Sequence, residues 1–217
     1  MLTNYDAKAV ADLMGIAFLR EPDTDPSQAA TPAQGAKGSK PATQTTSGKF
    51  AFKVADGMVH MVEIRADKSY GEFSKGKRSS NHSHVFKKGL RWPPSPILIE
   101  RAVERGLPRL ALRRVAEQLA GGDRAKIALL EWGVVPKTTL ERREEQLSPQ
   151  ESERTERVAR LLVHARRALG TEAEARDFMT KPHPQLDGRS PIDAAKTDLG
   201  TRRVEQILNA LEYGLAL

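Results

Sequence analysis

A mainly α fold is predicted for this 217-residue chain: a helix-turn-helix-type helical domain, a small C-terminal helical domain, and an N-terminal extension containing a β-hairpin. Three observations predict it. From Ser95 onward, apolar residues recur at helical spacing almost without interruption. Three helix-start signatures punctuate that region, at Ser148, Thr171 and Ser190. Only one stretch, residues 50–64, alternates polar and apolar residues with a period of two.

Taken in order, residues 6–20 read as a short amphipathic helix with Val10, Leu13, Met14 and Phe18 on one side. Residues 21–49 hold Pro, Ala, Thr, Ser, Gly and Gln but no large aliphatic residue. Such a segment buries too little apolar surface to offset its ordering entropy, and it reads as a flexible linker. In 50–64, Phe50, Phe52 and Val54 alternate, Ala55-Asp56-Gly57 offers a turn, and Met58, His60, Val62 and Ile64 continue the alternation as a hairpin. Residues 74–91 carry Lys75, Lys77, Arg78, Lys87, Lys88 and Arg91 with no acid among them, and Trp92-Pro93-Pro94 closes this basic extension, 50–94.

The helices follow. Ile97, Leu98, Ala102 and Val103 form a stripe before Gly106, and Leu110, Leu112, Val115 and Leu119 form another before Gly121-Gly122. Asp123 caps a helix running through Glu131; Gly133-Val134-Val135 turns into a short helix over 136–145. Ser148-Pro149-Gln150-Glu151 is a capping box for a helix burying Val158, Leu161, Leu162, Ala165 and Leu169, stopped by Gly170. A second box, Thr171 to Glu174, leads to Phe178 and Met179. Ser190-Pro191 starts a short helix, and after a turn at Gly200 the last helix runs along Val204, Ile207, Leu208 and Leu211 until Gly214.

Composition narrows the function. The chain has no cysteine, which removes disulfides, thiolate metal sites and thiol nucleophiles and fits a cytoplasmic location. No apolar run of bilayer length and no signal peptide is visible, so no membrane role is expected. The net charge is +7, of which residues 50–91 supply +5; that permits nucleic-acid binding without establishing it. His82 and His84 lie two apart but lack an acidic or thiol neighbour to complete a metal shell; His60 and His164 read as surface or packing residues, and His183, between Lys181-Pro182 and Pro184, sits in a connection without partners. With no phosphate cradle, nucleophile elbow or carboxylate pair, no catalytic residue, metal site or cofactor is assigned, and the chain reads as a non-enzyme. The Glu/Arg alternation of 141–160 reads mainly as a solvated helix surface.

Residues 123–145 have helix-turn-helix spacing, and the second helix would present Lys137, Thr138, Thr139, Arg142 and Arg143 to phosphates and base edges. Glu141, Glu144 and Glu145 would repel phosphate, and two packed helices with ordinary surface charge fit the same spacing.

Several motifs occur in order: Gly106-Leu107-Pro108, Thr138-Thr139-Leu140-Glu141-Arg142-Arg143, Leu147-Ser148-Pro149-Gln150-Glu151-Ser152-Glu153-Arg154, Leu186-Asp187-Gly188-Arg189-Ser190-Pro191, and Val204 through Tyr213-Gly214. On these residues the chain resembles type II antitoxins of the Xre/MbcA/ParS family over about 95–217. The resemblance implies an Xre-like helix-turn-helix domain over 95–147, used in self-association and in binding operator DNA, and a toxin-binding domain over 148–217. It implies a RES-domain toxin as partner, one that acts on NAD, and a homodimer within a larger toxin–antitoxin complex. It also implies that Tyr213, Gly214, Leu215, Ala216 and Leu217 obstruct the toxin's active site, with Gly188 and Pro191 in the same interface. The NAD site would belong to the toxin. The chain departs from the family at Ala168-Leu169-Gly170 and Phe178-Met179, both apolar exchanges, and its first 90 or so residues match nothing in it. A stand-alone DNA-binding regulator is the alternative reading.

Overall fold

A computed structural model describes residues 5–20, 49–55, 58–64, 90–142 and 145–214. The linker short of Lys49, the hairpin turn, most of the basic stretch, His82, His84, Arg143 and residues 215–217 lie outside the described residues.

Helix α1 (Ala7–Met14) starts where the Asp6 carboxylate accepts the Ala9 N–H at 2.9 Å. It is shorter than the sequence pattern suggests. Gly15, at φ 67°, turns left-handed and donates its N–H to the Ala11 and Asp12 carbonyls, closing the helix. Ile16–Arg20 is therefore strand β1, not helix. Its Ile-Ala-Phe-Leu run suits a strand that pairs on both sides, and that pairing overrides the helical periodicity.

The predicted hairpin is present as β2 (Lys49–Ala55) and β3 (Met58–Ile64), antiparallel with Phe52 beside Met61 and Val54 beside Val59. A lone hairpin is marginal in water. Here β1 joins β3 in parallel, Ile16 beside Val59 and Phe18 beside Met61, and β4 (Leu90–Trp92) joins β1 antiparallel. The sheet order is β2-β3-β1-β4. Ile16, Phe18, Val59 and Met61 share one face and are buried in the same core as α1 and the helices that follow.

Those helices are α2 (Pro96–Arg105), α3 (Arg109–Ala120), α4 (Arg124–Val134), α5 (Lys137–Glu141), α6 (Pro149–Leu169), α7 (Glu172–Thr180), a 3-10 turn at Pro184–Leu186, α8 (Pro191–Ala194) and α9 (Asp198–Glu212). Three of these depart from the sequence reading. Gly133 and Val134 complete α4 rather than leaving it, because Val135 still donates to the Glu131 carbonyl. The short helix α5 ends at Glu141, not 145. Gly200 lies inside the first turn of α9, because Thr197 is the cap and accepts the Gly200 N–H at 3.1 Å.

The long helix α6 is the central member, touched by α1, α2, α3, α4, α7 and α9. Its start is the full capping box expected: Ser148 Oγ accepts the Glu151 N–H at 3.3 Å and the Glu151 carboxylate accepts the Ser148 N–H at 2.6 Å. At Thr171 only one arm forms; the hydroxyl accepts the Glu174 N–H and donates to the Glu174 carboxylate, so the carboxylate does not reach back to the cap's backbone. Val158, Ala159, Leu161, Leu162 and Ala165 of α6 are buried with Val204, Ile207 and Leu208 of α9 and with Val10 and Met14 of α1.

Two of the motifs quoted above meet in space. Leu147 donates to the Leu107 carbonyl and Arg109 to the Glu145 carbonyl, both at 2.8 Å, and Leu107 donates to Ser152 Oγ at 2.7 Å. This seam ties the α2–α3 corner to the start of α6. Gly106 sits in it at φ 91°, where a Cβ would run into the Leu147 carbonyl oxygen. Gly106→Ala is expected to cost about 2–4 kcal/mol, since strain and overlap coincide. Urea unfolding followed by circular dichroism measures it; an unchanged midpoint would show that the seam yields without cost.

Candidate functional site

The C-terminal motif Leu186 to Pro191 forms a tight loop between α7 and α8. His183 caps the 3-10 turn, its Nδ1 accepting the Gln185 N–H at 3.2 Å, and its ring meets Phe178 edge-on at 5.7 Å. The expectation that His183 has no partner is thus corrected: the loop folds back on it, and its own N–H donates to the Arg189 carbonyl. Asp187 and Gly188 are both left-handed, at φ 58° and 74°. Asp187 holds that uncommon conformation while its carboxylate accepts from Arg203 Nη1 at 2.8 Å. A second Arg203 nitrogen donates to the Gln185 carbonyl at 2.7 Å, so one guanidinium from α9 clasps both ends of the turn. The Arg203 pair holds the Asp187 carboxyl below the usual carboxylate range. Gly188 is exposed; Pro191 is buried at the first position of α8.

Helix α9 is clamped at its far end. Arg167 of α6 donates to the two Glu212 oxygens at 2.7 and 2.9 Å, and His164 Nε2 lies 3.1 Å from the same carboxylate. Arg160, one turn earlier on α6, donates to Glu205 at 2.7 Å and faces Glu156 at 3.5 Å. The Tyr5 hydroxyl donates to Glu156 at 2.9 Å, so the ladder reaches α1. Burial pushes both Tyr5 and Glu156 up from their ordinary values. Part of what reads in sequence as a solvated Glu/Arg surface is therefore half-buried cross-helix pairing. Beyond the clamp, Tyr213 is 62% exposed and Gly214 is left-handed, at φ 62°. Leu199, at the other end of α9, is 73% exposed.

The remaining candidates lie on α4 and α5. Lys137 and Thr138 are exposed, Thr139 is half-buried, and Arg142 is exposed just past the end of α5. Lys137 Nζ lies 4.9 Å from the centre of the Trp132 ring and 3.8 Å from Glu141. Helix, short turn, helix recurs along the chain: in this region α3 and α4 are joined by Gly121-Gly122-Asp123 and α4 and α5 by Val135-Pro136. Among the described residues no cluster of three metal-ligating side chains occurs, and no helix is long and apolar enough to cross a membrane.

Residues 99–160 match the family model for the antitoxin Xre-like helix-turn-helix domain. Residues 164–214 match the model for the antitoxin Xre/MbcA/ParS C-terminal toxin-binding domain. The helical region of this chain belongs to the Xre/MbcA/ParS antitoxin family. A curated relative, "Antitoxin Xre" of Pseudomonas putida strain KT2440, is 29% identical over 87 residues, covering 39% of this chain and 55% of that protein. The chain thus spans about half the length of this relative. In this antitoxin-family chain the two matched regions meet within α6, one ending at 160 and the other starting at 164.

The sequence reading missed Arg160, His164, Arg167, Arg203 and Glu212 as organisers of the C-terminal module. Their partners lie 16 to 48 residues away, so no local spacing marks them. Burial, and next the nearby Arg167 charge, lower the His164 pKa below the ordinary 6.5, against the pull of Glu212. A depressed histidine contributes stability above its unfolded value, and that contribution is lost as pH falls through the folded value. Unfolding free energy is therefore expected to decline below about pH 6.5, with His164→Asn flattening that limb. Parallel slopes for the two proteins would remove His164 from the account.

Proposed function

We propose that this chain is an antitoxin that binds and neutralises a RES-domain, NAD-consuming toxin and represses its own promoter. Residues 148–217 would hold the toxin and obstruct its active site with the end of the chain, residues 213–217, with Gly188 and Pro191 in the contact. Residues 95–147 would bind operator DNA through Lys137, Thr138, Thr139, Arg142 and Arg143. The chain itself would perform no catalysis and need no cofactor.

The observation that carries this reading is where the toxin-binding family match falls. Residues 164–214 include the clasped 183–190 loop and the whole of α9, whose end is clamped to α6 and whose exposed groups include Leu199, Leu211 and Tyr213. Large apolar side chains left in water on a rigid element suit a protein partner. Clamping by Arg167 and His164 fixes where the tail leaves the helix, which lowers the entropy lost when a partner's cleft receives it.

Co-expression with the neighbouring gene product tests the toxin reading. Deleting residues 213–217 is expected to abolish rescue of growth while the shortened chain still co-purifies with the toxin through the α9 face. Full rescue by the shortened chain would overturn the plug. For DNA, Arg142→Ala is expected to weaken promoter binding about three- to tenfold and lower the salt slope by about one. Unchanged isotherms across salt would move the contact off α5.

A further inference from the structure

Helix α5 has a single outward face. Its five residues follow the Val135-Pro136 turn, and Leu140, 1% exposed, fixes which side meets the core. Lys137, Thr138, Glu141 and Arg142 are exposed, while Thr139 is half-buried. The exposed four fall at i, i+1, i+4 and i+5, so they share one side of the helix. Any surface that meets Lys137, Thr138 and Arg142 therefore meets Glu141 as well. A carboxylate brought against DNA without a partner is repelled by phosphates and gives up its hydration without compensation.

Two contacts in series set where this carboxylate stands. Lys137 Nζ lies 3.8 Å from Glu141 Oε1, and both side chains are more than half exposed. The same ammonium stands 4.9 Å from the centre of the Trp132 ring, and Trp132 is half-buried on α4. Trp132 thus holds Lys137, and Lys137 holds Glu141. The outcome is an acceptor and a donor side by side on the outward face of α5. An exposed i,i+4 pair is worth little by itself, so exchanging it for other partners costs little.

We infer that Glu141 and Lys137 together read one G·C base pair in the major groove, Glu141 accepting from the cytosine N4 amino group and Lys137 donating to guanine O6 or N7. This inference rests on the operator-binding reading of α5 given above and names its source of specificity. The base edges decide the assignment. Cytosine offers an amino donor with no acceptor of its own beside it. Adenine sets its amino group next to N7, an acceptor that would oppose the second carboxylate oxygen. Thymine offers an acceptor and a methyl group, and guanine two acceptors, which an ammonium can meet and a carboxylate cannot. A G·C pair therefore complements the donor and acceptor that Lys137 and Glu141 present together. Arg142 would supply phosphate attraction, which carries no sequence information, and Trp132 is a positioning residue for the pair.

Fluorescence anisotropy of the full chain with a duplex of its own promoter, in every single base-pair variant, tests it. The wild type is expected to lose about tenfold in affinity when one particular G·C pair is replaced. Glu141→Ala is expected to lose discrimination at that pair alone, while its affinity for an unrelated duplex rises about threefold as a negative charge leaves the face. Glu141→Gln is expected to move the preference at that pair to A·T, because an amide meets adenine N6 and N7 together. Trp132→Leu is expected to lower discrimination at the same pair about threefold without weakening binding to the unrelated duplex; unchanged discrimination would remove Trp132 from the assignment. If Glu141→Ala binds every duplex more tightly with its base preferences intact, the carboxylate only repels and the inference fails. Should Arg142→Ala still weaken promoter binding in that case, the operator reading stands and this inference alone is lost. A wild type that binds no promoter duplex would sink both.

Discussion

Burial of α6 along nearly its whole length is the constraint on which the rest of the structure depends. Its inward side chains, from Ser152 and Thr155 through Val158, Leu161, Leu162 and Ala165, are enclosed by α1, α2, α3, α4, α7 and α9 at once. A 21-residue helix can serve so many neighbours because its ends are secured: the capping box at Ser148 satisfies orphan donors, and the left-handed Gly170 releases the chain toward α7. Enclosed hydroxyls on such a helix need acceptors, and Ser152 and Thr155 find them one turn back, on the Ser148 and Glu151 carbonyls.

That arrangement bears on how the two matched regions work together. The helix-turn-helix match ends and the toxin-binding match begins within α6, so the two share a rigid element and one continuous core. The N-terminal segment joins the same core. Tyr5, Glu156, Arg160 and Glu205 form a polar ladder from the start of α1 across α6 to α9, while Ile16 and Phe18 of β1 reach the same interior. What reads in sequence as an extension joins that packing through α1, which lies against α6, with β1 against α1 and Ile16, Phe18, Val59 and Met61 in the shared core. A displacement of α6 at either end would be felt at α9 and at the α2–α3 corner alike.

The charged residues divide by reach. Pairs such as Arg113–Glu117, Lys181–Asp177 and Arg202–Asp198 are exposed i,i+4 contacts worth little individually. Arg160, Arg167 and Arg203 differ, because each joins elements distant in sequence and each presents more than one nitrogen to its targets. Arg167 grips Glu212 with two nitrogens and Arg203 bridges Asp187 and the Gln185 carbonyl, contacts with direction as well as attraction that position the end of α9 and the 183–190 loop.

The sequence by itself determined most of the helical half. Periodic Leu, Val, Ile and Ala named the faces, and Ser, Thr, Pro and Gly named most of the ends, because capping and period are local properties read within a turn or two. The hairpin was legible for the same reason. Family motifs placed Tyr213, Gly214, Gly188 and Pro191 on the C-terminal module, and the structure puts the first three at its surface and Pro191 beneath it. Tertiary structure alone decided the fate of Ile16–Arg20, since whether an apolar run becomes helix or strand depends on strands 40 and 70 residues further on. It alone decided which arginines are clasps and which are solvated, and it alone showed that α4 turns a glutamate inward and a leucine outward. Those outcomes rest on long-range neighbours, and no local pattern encodes which residues those neighbours will be.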